Sequence, residues 1–213
     1  MKTDDLIAML STNVDPVDRG QVVRVVSIAI LVGGAAALGA MLFTLGARTD
    51  LSEVSTLTYL PLKLFFTMGT LVLTSIALTK LARPGGERTT PVTLVALPLL
   101  VIMLVAAISL AATPSSHWEQ MIVGDQWLEC LLSIPIIAIV PFAVIILALR
   151  RAAPTDLVRT GALGGMAAGA VSAAAYAFHC VDDSLPFVAL WYGGTIALCT
   201  LAGATLGPRL LRW

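Results

Sequence analysis

Charge is scarce in this chain. Of 213 residues 12% are charged and 58% hydrophobic, and there are two histidines and three cysteines. With a mean hydropathy of +0.92, this excludes an ordinary soluble domain, in which about a quarter of residues are charged. Recognisable catalytic motifs are also lacking: no dinucleotide or phosphate-binding glycine loop, no metalloprotease helix and no nucleophile elbow. No catalytic residue is assigned, and a soluble enzymatic module is excluded. A thiol–disulfide oxidoreductase would want a C-x-x-C, and there is none. The first 21 residues are polar and hold Asp4, Asp5, Asp15 and Asp18, so nothing there reads as a cleaved signal peptide.

What is present is hydrocarbon-length segments. Crossing a bilayer takes about 20 apolar residues at roughly 1.5 Å each, and six stretches qualify: 22–45, 57–79, 91–112, 128–149, 160–178 and 185–206. The fifth is Ala- and Gly-rich and the weakest, but it carries no charge. The expected fold is an all-α integral membrane protein, a bundle of six transmembrane helices. It divides into a cytoplasmic N-terminal docking segment (1–21), the membrane domain (22–207) and a short tail (208–213). Pro98, Pro135 and Pro141 lie inside apolar runs, where kinks are the usual result.

The charges are not spread evenly. Eleven of the thirteen bases, namely Lys2, Arg19, Arg24, Lys80, Arg83, Arg88, Arg150, Arg151, Arg159, Arg209 and Arg212, fall to one side of this six-span layout. The loops on the other side hold Glu119, Asp125, Glu129, Asp182 and Asp183. Only Arg48 and Lys63 break the pattern, and Lys63, near its span end, is expected to snorkel to the interface. The positive-inside rule then puts both termini in the cytoplasm, in a multi-pass topology.

Three features invite a functional reading. Thr3 is a candidate helix cap, with Asp4 and Asp5 in the first turn and Leu6, Ile7 and Leu10 forming one apolar stripe before Pro16. So short a helix either packs against something, the bilayer surface or the groove of a soluble partner, or is disordered until it binds. Gly161, Gly165, Gly169 and Ala173 repeat every four residues, which suits close packing within the chain or, as an alternative, a homodimer face. Cys130 and Cys180 sit at the outer ends of consecutive antiparallel spans, at one depth, beside acidic loops. They fit packing, a structural disulfide, or a sensing pair, redox or soft-metal, with His179, His117, Glu129, Asp182 and Asp183 as neighbours or further ligands. Cys199 reads as a small buried apolar residue. No resident cofactor and no nucleic-acid contact are expected beyond a transient soft metal ion at the cysteine pair.

The opening MKTDDLIAMLS, the stretch GDQWLECLLSIPIIAIVPF, the AAP after Arg151, the fifth span ending in AFHCVDDS and the WYGG beyond it resemble the NrsF family of six-span inner-membrane anti-sigma factors of proteobacteria. The resemblance runs end to end. It implies that a sigma factor of the extracytoplasmic-function class is sequestered at the cytoplasmic face, with Thr3, Asp4, Asp5, Leu6 and Ile7 in the docking role. It also implies that Cys130 and Cys180 take part in sensing heavy-metal or oxidative stress. The residues alone keep open a different class, a small transporter or channel with an outer thiol site.

Overall fold

A computed structural model describes residues 3–11, 20–49, 54–83, 92–152 and 154–212, and every regular element among them is helical. A short helix, α1 (Thr3–Ser11), precedes α2 (Gln21–Thr44) and α3 (Val54–Leu81). A 3-10 turn, Val92–Ala96, leads into α4 (Leu97–Ala111), and a second, Ser115–His117, into the short α5 (Trp118–Val123). Then come α6 (Trp127–Arg150), α7 (Leu157–Tyr176), the turn α8 (Leu185–Phe187), a π-helical turn Val188–Tyr192 and α9 (Gly193–Leu210).

Five segments are long and apolar enough to cross a membrane: Gln21–Thr44, Tyr59–Leu81, Thr93–Ala111, Ser115–Arg150 and Leu185–Leu210. The fifth predicted span is the exception, and the packing explains it. It folds as α7 but is enclosed by α2, α3, α6 and α9, and almost every residue from Thr160 to Tyr176 is buried. A central helix needs small side chains more than greasy ones, so its hydropathy is low where its burial is highest. The outer helices are the reverse: Leu31, Phe43, Phe65, Leu100 and Leu201 turn outward and are more than 60% exposed.

The glycine repeat of α7 is used inside the chain. A Cβ on Gly165 would collide with the Cys199 carbonyl oxygen, and one on Gly161 with that of Gly203. Gly203 and Gly207 of α9 answer in kind, so the two backbones touch along three turns. A second copy could not reach this stripe without displacing α9. Pro98 also departs from expectation, since it lies in the first turn of α4, where the missing amide costs nothing; Pro135 and Pro141 do lie inside α6.

The fold sorts the charges by end. Gln21 at the start of α2 lines the same small cavity as Arg151 and Ala152 after α6, and Gly207 near the end of α9 packs on Leu157 and Gly161 at the start of α7. At the opposite end, Arg48 after α2 meets Asp183 after α7, and His179 faces Glu129 at the start of α6. The ends that gather Arg24, Arg151, Arg159 and Arg209 are therefore remote from the end that gathers Glu129, Asp182 and Asp183. A helix of 24 residues such as α2 separates them by about 36 Å.

Candidate functional site

The segment from Phe178 to Ser184, between α7 and α8, is the hub of the acidic end. Cys180 lies in it, wholly buried, and Cys130 in the first turn of α6 is wholly buried too; both thiols are free and belong to one packed cluster. The Cys180 thiol donates to the Asp182 carbonyl at 3.8 Å. Burial pushes its pKa above the ordinary thiol value, and the ammonium of Lys63 pulls it part of the way back. A thiol held neutral is a slow nucleophile and a poor ligand until something exposes it or removes its proton.

Everything around Cys180 is tied down. The Arg48 guanidinium grips Asp183 with two bonds of 3.0 and 3.1 Å and also donates to the Cys180 carbonyl at 3.0 Å. Lys63, 1% exposed, reaches Oδ1 of the same carboxylate at 2.6 Å and the same carbonyl at 3.2 Å. The Arg48 amide donates to the Phe178 carbonyl, and His179 Nδ1 donates to that of Gly46 at 2.9 Å. Asp182 accepts from the amides of Asp125 and Gln126 at the entry to α6, and Gln126 accepts from the Val181 amide. Removing Asp183 from such a set would leave two buried cations uncompensated, a loss that ordinarily costs about 3–5 kcal/mol.

Two expectations change here. Lys63 does not snorkel; it is turned inward because Asp183 and the Cys180 carbonyl offer it a stronger partner than an interface would. Asp182 and Asp183, expected among further metal ligands, are committed to the α6 entry and to the two cations. Among the described residues no group of three or more His, Cys, Asp and Glu side chains converges as a preformed metal site requires. His179 Nε2 faces Glu129 at 3.8 Å, while His117 stands exposed on the 3-10 turn before α5, beside Ser116.

The aromatic wall of the site comes from the π-helical turn. Its extra residue puts Trp191 against Trp127, with ring centres 5.3 Å apart, where its indole donates to the Ile122 carbonyl at 2.8 Å. Tyr192 turns inward beneath Lys63, whose ammonium lies 5.6 Å from the ring centre, and packs on Tyr176. Such turns recur at functional sites. Both phenol hydroxyls are buried with no nitrogen or oxygen partner among the described residues.

At the other end of the sequence, α1 presents Asp4 and Asp5 in its first turn and exposes Leu6, Ile7 and Met9 at 38%, 59% and 67%. Thr3 is its first residue and is exposed. Of Leu10 only the backbone is described, and Pro16 lies outside the described residues.

A family model described as NrsF, negative regulator of sigma F, matches residues 10–213. The chain belongs to the NrsF family. A probable anti-sigma-F factor NrsF from Azospira oryzae is 30% identical over the full length of both chains. The anti-sigma-F factor NrsF of Caulobacter vibrioides is 29% identical, again over all of both. No solved structure matches. The NrsF role is regulatory rather than enzymatic, in accord with the missing catalytic motifs. Sequence reasoning placed the cysteines in this NrsF chain but missed Arg48, Lys63, Gln126, Tyr176 and Tyr192 as their surroundings. One signal was available: Arg48 and Lys63 were the two bases on the wrong side of the charge census.

Proposed function

We propose that this chain is a membrane-bound anti-sigma factor that holds an extracytoplasmic-function sigma factor through α1 at the cytoplasmic face. It lets that factor go when stress acts on Cys130 and Cys180 in the periplasm. The observation that carries the reading is the separation of input from output along one rod. The exposed apolar residues of α1 lead into the basic end of α2, and the buried cysteine hub is bound to the residues that follow its acidic end. Positive-inside sidedness then places the basic end in the cytoplasm. The acidic first turn of α1 favours a partner groove over an anionic lipid surface.

The signal acts on thiols, either an oxidant or a soft metal ion. With Asp182 and Asp183 committed elsewhere, Cys130 and Cys180 are the soft donors for such an ion, with His179 and Glu129 beside each other as further ligands. Burial makes the pair a guarded sensor, one that a reagent must open.

The test is co-purification of the sigma factor from detergent extracts. The full chain is expected to retain it, a chain lacking residues 2–11 to lose it, and Cys180→Ser to retain it without signal-dependent release. Retention by the shortened chain, or release by Cys180→Ser, overturns the corresponding half of the proposal. Absence of retention together with ion flux in liposomes would point to transport instead.

A further inference from the structure

We infer that the ionic clamp formed by Arg48, Lys63 and Asp183 is what carries the state of the Cys180 segment to α2 and α3, making Lys63 a positioning residue for signal transmission. The inference rests on the sensing role given above to Cys130 and Cys180 and names the part that couples them to the rest of the molecule.

A change at two thiols near one face can alter an opposite face only through elements that reach both. Cys180 is on a loop, and loops transmit little unless they are fastened to something rigid. Here the fastening is specific. The Cys180 carbonyl accepts from Arg48 at 3.0 Å and from Lys63 at 3.2 Å, so the backbone of the sensing residue is the shared acceptor of two cations on two different elements. Asp183, three residues on, binds the same two cations at 3.0 and 2.6 Å and sets their spacing.

Arg48 follows α2 by four residues, and the Gly46 and Arg48 backbone is bonded to His179 and Phe178. A shift of Cys180 is therefore a shift of the end of α2. Along its length α2 packs on α6 at a close contact, where a Cβ on Gly33 would lie 3.0 Å from Pro141 Cα. The helix that carries Cys130 in its first turn and the helix that follows α1 thus meet where Gly33 sits against the backbone and ring of Pro141. Lys63 adds α3 to the same clamp, and α3 runs from there towards Lys80 and Arg83 at the basic end.

Lys63→Met separates transmission from sensing. It leaves Arg48 and Asp183 as a balanced pair, and both cysteines remain. The full-length protein and its sigma factor are co-purified before and after treatment with cadmium chloride or, separately, diamide. Diamide takes two electrons and two protons from the paired thiols, which become a disulfide while the azo compound becomes a hydrazine. Thiol modification and sigma release are scored on the same sample.

In the wild type, modification and release occur together. In Lys63→Met, basal retention is expected to persist and thiol modification to be slower, because the ammonium that eases the proton from Cys180 is gone; at equal extents of modification, release is expected to fall about tenfold, within the usual range of inter-site coupling. Lys63→Gln, which keeps a donor for the Cys180 carbonyl, is expected to fall between, and it carries the comparison should Lys63→Met fail to accumulate. Release that follows thiol modification undiminished in both variants overturns the clamp and leaves the sensing role intact. A wild type whose thiols are modified without release, or a Cys180→Ser that still releases, overturns the sensing role itself.

Discussion

A buried thiol with a neighbouring ammonium is held between two opposing influences, and for Cys180 burial is the larger. Its pKa is raised, so the neutral form is the one the fold favours. The stabilisation that this provides is present below the ordinary thiol pKa and is lost as pH rises through the higher folded value. Alkylation of Cys180 in a variant with Cys130 and Cys199 changed to Ala is accordingly expected to keep climbing at pH values where an exposed thiol has levelled off. A plateau at the ordinary thiol pKa, read from the rate against pH, would show the thiol to be solvated. Asp182 gives a second prediction at this scale. Its carboxylate accepts from the Asp125 and Gln126 amides at 3.0 and 2.8 Å, and hydrogen bonds to a charged group contribute about 1.5–3 kcal/mol each. Asp182→Ala is expected to lower the melting temperature in detergent and to raise the labelling rate of Cys180, whose thiol donates to the carbonyl of the same residue.

Among the elements, α7 shows where hydropathy and burial part company. Its composition answers to the backbone of α9, not to lipid, so a helix at the centre of the bundle gives the weakest membrane signal of the six. Gly165→Val would drive side-chain atoms into the Cys199 carbonyl; overpacking ordinarily costs about 1–3 kcal/mol, and contact with immovable backbone puts this case at the upper end or above. Gly39→Ala, with nothing within 4 Å of the added Cβ, is expected to be neutral or slightly stabilising in the same thermal assay. The lengths of α2, α3 and α6 were legible in the sequence because a run of about 20 apolar residues has few alternatives. The clamp was not, since its partners are 117 to 135 positions apart and no local pattern relates them. Lys63 shows the limit of local reasoning: at a span end snorkelling is the default, and only the folded position of Asp183 overrules it.

At the scale of the whole molecule, the two bases that strayed from the charge pattern strengthen it once they are seen to be buried. Arg48 and Lys63 are 7% and 1% exposed and share Asp183, so neither is an exposed positive charge that translocation must overcome. The sidedness rule concerns bases left in loops near span ends, and this pair is enclosed by protein around one carboxylate rather than left in a loop. The same burial decides how sidedness is to be measured. Cys130 and Cys180 are each 0% exposed, so slow labelling of the native thiols in intact cells reports their enclosure rather than the side they occupy. A cysteine introduced at Ser116, exposed on the 3-10 turn before α5, is free of that ambiguity. Ser116→Cys is expected to react with a membrane-impermeant maleimide in intact cells, and a cysteine replacing the exposed Arg83 after α3 only once the membrane is opened. The reverse pattern would put the cysteine hub on the cytoplasmic side and α1 outside, where no sigma factor could reach it.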